Sequence, residues 1–302
     1  MAHVDRSAAD AWIAASVAPT GAIAVAHERP WSTVLRVPTA GGTAWFKACS
    51  GVHAFEPRLT ADLHARWPDL LPQVLAVDER RAWLLLADAG TRIGDRGNPP
   101  GYWIDLLPRY AELQRGESAC AADHLAHGVP DLRVVTLPQG YEELLREDLP
   151  ISSDEARVLR DFAPAFVGLC SELASGGPSD SIQHDDLHMH NVFLRGNDLR
   201  ILDWGDSSIS HPFASLVVTF RFLEERNGLA SDDPWFGRIR DAYLEGWGSG
   251  LTELFDLAMR VGLFAHAIAE LRQRAVLSGP AREQFDLDFG VWLRRATARV
   301  DG

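Results

Sequence analysis

Lysine is almost missing from this chain: among its 29 basic residues only Lys47 is a lysine, and every other one is arginine. Basic runs are missing too. The net charge is −13 with no cluster of positive residues, so the positive footprint that nucleic-acid binding requires is absent. No stretch of about 18 uncharged apolar residues occurs, which argues against a membrane-spanning helix. Asp5, Arg6 and Asp10 break the charge and apolar order of a signal peptide, so a cytoplasmic protein is expected. Three scattered cysteines, Cys49, Cys120 and Cys170, make neither a disulfide frame nor a metal site and read as reduced thiols. Several catalytic signatures are also lacking. Lys47 is followed by alanine, which rules out a Walker A loop, and no G-x-S-x-G elbow or strand-linked G-x-G-x-x-G occurs.

What is present is an ordinary globular composition, 46% hydrophobic and 24% charged over 302 residues. That is enough chain for one large domain or two lobes around a substantial core. The acidic balance serves solubility first, and it would also draw a cationic small molecule. A lone lysine in an arginine background either survived by chance or marks a place where a compact ammonium cannot be exchanged for a planar guanidinium.

The first third of the chain alternates short apolar segments with turns. A helix is expected over Ser7–Ser16 with Ser7 as its N-cap, followed by strands at Ala22–Ala26, Thr33–Val37 and Thr43–Ala48. Thr39-Ala40-Gly41-Gly42 is a hairpin turn. Glu56–Trp67 reads as a helix with Pro57 in its first turn, and two further strands, Gln73–Val77 and Ala82–Leu86, complete a five-stranded antiparallel sheet. The Gly- and Pro-rich stretch 89–101 marks a boundary. Beyond it helices are expected at Tyr102–Arg115, Gln139–Glu147, Asp154–Ala174, His211–Arg226, Pro234–Trp247, Leu251–Leu277 and Ala281–Val300. They are interrupted by two short strands around Gly196-Asn197. Trp103, Trp235, Trp247 and Trp292, with His266, fall in helical patterns and read as core.

The richest stretch is Ser181–Pro212, SIQHDDLHMHNVFLRGNDLRILDWGDSSISHP. His184, Asp186 and Asn191 fit H-x-D-x-x-x-x-N, the spacing of a phosphotransferase loop, and a hairpin then returns the chain to Asp203 in Asp203-Trp204-Gly205. A carboxylate base beside an Asn and a second Asp suits a magnesium–nucleotide site, because the hard cation takes oxygen ligands and a hydroxyl nucleophile needs a proton acceptor. Asp186 stands five residues before Asn191 and Asp185 six, so the spacing selects Asp186 as the base.

The HDDLHMHN loop resembles the H-G-D-L-H-x-x-N loop of aminoglycoside and choline-type phosphotransferases, and ILDWGD resembles their I-D-W segment. His211-Pro212-Phe213-Ala214-Ser215-Leu216 is similar to the segment that follows. The resemblance spans about residues 20–220 and is dense at 181–216. It implies an α+β, protein-kinase-like two-lobe fold, with a nucleotide-binding N-lobe over residues 1–88 and a mainly helical C-lobe over 89–302. It also implies ATP and Mg2+ as cofactors, Asp186 as base, Asn191 and Asp203 as metal ligands and His188 as a brace for the loop. Lys47 would take the α- and β-phosphates, paired with Glu56. Leu84–Gly90, including Ala87, would meet the adenine, and the turn His27–Thr33, with Ser32 and Thr33, would cover the nucleotide. Asp185 departs from the family, which places glycine there; it either adds charge beside the site or faces solvent. The expected partner is a small-molecule hydroxyl substrate, with no nucleic acid and no membrane, for a monomer or homodimer.

Two other readings compete. The cluster of His184, Asp185, Asp186, His188 and His190 would suit a metal-dependent hydrolase, although that leaves Asn191, the hairpin and the lone lysine without a role. A kinase fold kept as a non-catalytic binding protein is the other, although such proteins lose the base, the metal Asp or the lysine, and all three are here. A protein kinase would need an A-P-E segment after Asp203, and none follows.

Overall fold

The computed structural model describes residues 4–300. Along the chain run α1 (Arg6–Ser16), β1 (Ala24–Arg29), β2 (Ser32–Thr39), β3 (Gly42–Cys49), α2 (Glu56–Arg66), β4 (Val74–Asp78), β5 (Trp83–Ala87) and β6 (Thr91–Arg92). Then come α3 (Gly101–Glu117), α4 (Ala121–Ala126), α5 (Leu137–Arg146), α6 (Ser153–Ala174), β7 (Ser181–Gln183), β8 (Val192–Arg195), β9 (Asp198–Ile201) and β10 (Ser208–Ser210). The described chain closes with α7 (Leu216–Asn227), α8 (Pro234–Glu245), α9 (Thr252–Val276) and α10 (Gly279–Thr297).

Two compact units result. One holds the chain up to Leu106 with Ala126–Val129 and Asp186–Asp206; the other holds Leu107–Leu125, Pro130–Asp185 and the chain from Ser207 on. The hairpin β8–β9 therefore belongs with the N-terminal sheet, whereas the sequence boundary at 88/89 grouped it with the helices. Backbone pairing explains the difference. Thr91 of β6 pairs with Leu194 of β8, and the Ile201 amide donates to the Leu70 carbonyl at 2.7 Å.

The sheet unit is built on a five-stranded antiparallel sheet in the order β1-β2-β3-β5-β4. Side chains alternate across a strand, so β2 buries Leu35 and Val37 while β3 buries Phe46 and Ala48. These pack on Ala9 and Ile13 of α1, and Trp12, Phe46 and Trp83 meet edge to face at 5.4–5.8 Å. The same alternation puts Trp45 and Lys47 on the opposite face. The N-cap of α1 is Asp5, which accepts from the Ala8 amide at 3.1 Å, and not the expected Ser7. The helix starts at Arg6, so the extended capping position falls one residue earlier.

In the helical unit α6 opens with a capping box between Ser152 and Glu155. Tyr141 stacks on Phe166 at 4.5 Å, and Phe162 meets Phe264 at 5.1 Å. Trp103 of the sheet unit and Trp292 are buried, and Trp235 and Trp247 half-buried. The half-buried His266 lies 4.1 Å from the Trp292 ring. The continuous helix expected from His211 does not form. Pro212 biases His211 to extended backbone, a 3-10 turn covers Pro212–Ser215, and α7 begins only at Leu216. Strand β10 was not expected either; it pairs antiparallel with β7, Ser208 opposite Gln183, and three residues are too few to show a period. Among the described residues no helix is long and apolar enough to cross a membrane.

Candidate active site

Lys47 lies near the end of β3, between Val34 of β2 and Leu84 of β5. After Cys49 the chain turns through a 3-10 segment at Gly51–His53 and enters α2. That turn brings Glu56, in the first turn of the helix, back under the strand. Its carboxylate receives the Lys47 ammonium at 2.7 Å. The glutamate stands early in the sequence, and the tight turn supplies the reach. Glu56 is 1% exposed, and a second donor, the Cys49 thiol, lies 3.2 Å from its Oε2.

The hairpin β8–β9 brings two further groups to the same place. Val192 pairs with Ile201, and the Leu202 amide donates to the Asn191 carbonyl at 2.9 Å, so Asn191 and Asp203 flank the base of the hairpin. Asp203 has a φ of 67°, a left-handed conformation that aspartate tolerates better than most residues. Its carboxylate meets the Lys47 ammonium at 2.5 Å. Lys47 thus bridges two acids. Burial works to lower its pKa, but the charges of Asp203 and Glu56 outweigh burial and hold it well above the ordinary lysine value. Gly205 leaves room for this arrangement, since a Cβ there would lie 2.8 Å from Glu56 Oε2.

At the same base of the hairpin the Asn191 side-chain amide donates to the Asp186 carbonyl at 2.9 Å and to Asp186 Oδ2 at 3.0 Å. His188 braces the loop. Its Nδ1 accepts from the His190 amide at 3.1 Å, which in the neutral ring leaves the proton on Nε2, 3.2 Å from Asp186 Oδ2. Among the described residues no three His, Cys, Asp or Glu side chains are gathered as a metal cluster, so the His184–His190 set does not form the centre that a hydrolase would need.

A cavity of about 400 Å3 opens in the sheet unit. Val34, Leu86 and Phe193 form apolar walls, and Lys47, Asn191 and Asp203 stand together in the lining. His27 of β1 also lines it, its pKa lowered by burial and then by the Arg29 charge. Ser32 is buried at the start of β2, opposite Cys49, and Ala87 pairs with Ala44 at the edge of β5; neither side chain is in the lining. Trp45, which the sequence did not mark as a site residue, also lines the cavity, and its indole donates to the carboxylate of Asp88, within the expected Leu84–Gly90 connector, at 3.2 Å. The alternation of β3 carried the signal for Trp45, which shares the face of Lys47.

Asp185 neither faces solvent nor stands as a loose charge. It is 8% exposed, has a φ of 59°, and accepts hydrogen bonds from Gln183 and Ser208.

With an antiparallel sheet carrying a lysine–glutamate pair, and a hairpin that sets an Asn and an Asp beside it, the chain has the protein-kinase-like α+β fold. Solved structures bear this out. Aminoglycoside 2'-phosphotransferase-IIIa in its GDP complex superposes with a TM-score of 0.66 at 15% identity, covering 98% of this chain and 99% of that one. Choline kinase LicA from Streptococcus pneumoniae gives 0.63 at 12% identity, covering 97% and 100%. Amicoumacin kinase hAmiN, solved in complex with AMP-PNP, Ca2+ and Ami, gives 0.60 at 11%, covering 95% and 94%. At these identities what is shared is the fold. No family model matches the chain, and no curated protein matches it in sequence.

Proposed function

We propose that this protein is a small-molecule kinase that moves the γ-phosphate of ATP, with Mg2+, to a substrate hydroxyl. The observation that carries the reading is the meeting of Lys47 with Glu56 and Asp203 in a cavity that Asn191 also lines. In this reading Glu56 holds the Lys47 ammonium, which exchanges its bond to Asp203 for the nucleotide phosphates. The apolar walls take the base, with the backbone around Ala87 at its edge and the β1–β2 turn near Ser32 above the phosphates. Asp186, fixed by Asn191 and His188, accepts the hydroxyl proton as the phosphoryl group transfers.

The donor set suits magnesium. Asp203 is half-exposed, and the Asn191 amide nitrogen is committed to Asp186, which turns its oxygen the other way. Two oxygen ligands are what Mg2+ takes from a protein when phosphates and water supply the rest. When bound, the ion neutralises charge that builds on the phosphates. Proteins of this fold act on aminoglycosides, choline or ethanolamine, so the acceptor sought is an amino or sugar alcohol.

A panel of such alcohols, read by ADP release with Mg-ATP, tests the proposal. Asp186→Asn should lower kcat by about 10²–10⁴-fold, the range for loss of a general base, with ATP binding retained. No ADP release from any alcohol, or a fully active Asp186→Asn variant, would overturn it.

A further inference from the structure

Asp185 delivers the chain into Asp186 under two constraints that meet in one side chain. Its φ of 59° lies in the left-handed region, where glycine is the default and aspartate one of few alternatives. Its carboxylate is turned into the helical unit, 8% exposed. There Gln183 Nε2 donates to Oδ1 at 2.5 Å and the Ser208 hydroxyl donates to Oδ2. Gln183 and Ser208 are direct partners across the β7–β10 pair, so one carboxylate clasps both strands at their open end. The neighbouring residue is fixed as well: the His184 amide donates to the buried Tyr110 hydroxyl at 3.0 Å.

We propose that Asp185 is a positioning residue that clasps β7 to β10 and thereby fixes the backbone from which Asp186 projects. A glycine at 185 would keep the φ and lose the clasp. An asparagine would keep both, since its oxygen still accepts from Gln183 and its amide donates to Ser208 once that hydroxyl turns to accept. The two substitutions therefore separate backbone freedom from side-chain anchoring. The role rests on the kinase reading only where turnover is measured.

The test compares Asp185→Gly, Asp185→Asn and Ser208→Ala in the full chain by amide hydrogen exchange across 184–191, ATP affinity and kcat. Asp185→Gly should raise exchange in this loop and lower kcat by about 10–100-fold, the effect of a lost hydrogen bond to a charged group, with ATP affinity within about twofold. Asp185→Asn should restore kcat to within a few-fold. Ser208→Ala should lower kcat alone and add nothing in the Asp185→Gly background. Unchanged loop exchange and kcat in Asp185→Gly would overturn the proposal, and so would a parallel fall of kcat, ATP affinity and Tm. If the wild type transfers phosphate to no acceptor, the kinase reading fails, and exchange alone then decides whether the clasp exists.

Discussion

The polar cluster of the sheet unit is ionic and partly open, whereas that of the helical unit is neutral and closed. In the first, Lys47 is bridged by Glu56 and Asp203, and the Asp203 side chain is 50% exposed. In the second, Gln114, Tyr110 and Tyr243 are all fully buried. Gln114 Nε2 donates to the Ile182 carbonyl at 3.0 Å and to Ser215 Oγ at 2.9 Å, and the Tyr243 hydroxyl lies 2.5 Å from Gln114 Oε1. Burial raises the pKa of both phenols, so they stay neutral at working pH. The contrast has a physical logic. An ion pair with one partner open to solvent can exchange that partner at little cost, which is what the proposed contact with phosphate requires. A buried neutral network can do nothing but hold geometry, because every unmade bond inside it is costly.

The sharpest way to break the comparison is to remove the exchangeable acid. Asp203→Ala should abolish the Mg2+ dependence of nucleotide binding and lower turnover by about 10³-fold, equivalent to about 4 kcal/mol of lost charge stabilisation. Titration of ATP affinity against Mg2+ checks it. An unchanged titration would mean that the open carboxylate is only a surface partner of Lys47.

Lys47→Arg is the next largest. A guanidinium keeps the charge, but its planar fork cannot occupy the point between Glu56 and Asp203 that an ammonium fills. Loss of one charged contact predicts about 10–100-fold weaker ATP binding. Since Lys47 is the only lysine, an ATP analogue carrying an acyl phosphate should label one side chain. Labelling should vanish in the variant and in excess Mg-ATP. Equal turnover and affinity in Lys47→Arg would make the lone lysine an accident of composition.

The two clusters differ as much in how far the sequence revealed them. Lys47, Asp186, Asn191 and Asp203 were legible because the loop spacing and the lone lysine are local signals, and the strand alternation gave the face. The neutral network was not. Gln114, Ser181, Ser215 and Tyr243 are joined over separations of 67–129 residues, and no pattern in a single sequence marks such partners. Asp185 shows a second limit, since a residue type does not reveal its φ. Glycine in that place would have announced a left-handed turn, whereas aspartate read as charge. Strand β10 and the 3-10 turn after His211 were lost because three or four residues carry no period.

Tyr243→Phe probes the closed cluster directly. The hydroxyl lies between Gln114 Oε1 and the Pro212 carbonyl, the latter at 2.8 Å, and its single proton serves one of them at a time, so its removal leaves a buried acceptor short of a donor. Unfolding in urea should show a loss of about 1–3 kcal/mol, with ATP affinity unchanged. A variant that binds ATP poorly yet unfolds like the wild type would reverse the assignment of roles between the clusters.

The smallest effect near neutral pH is expected at His211, and its sign tells whether the surroundings of this ring tolerate a buried charge. Its Nδ1 accepts from the Phe213 amide at 3.2 Å, and burial lowers its pKa from 6.5 to about 4. The native state therefore holds the ring neutral, whereas the unfolded chain protonates it near pH 6.5. A lowered native pKa means that stability is fully present above the unfolded value and is lost as pH falls toward the native one. By pH 5 the loss from this residue should be on the order of 2 kcal/mol, taking 1.36 kcal/mol per pH unit. His211→Asn keeps an oxygen to cap the Phe213 amide and has nothing to titrate. Urea unfolding of the two proteins should agree within about 1 kcal/mol at pH 7.5. Between pH 6.5 and 5 the wild type should lose stability against the variant by the amount above. Parallel stability curves over that range would show that the ring accepts its proton without unfolding, and that this part of the helical unit is open to water.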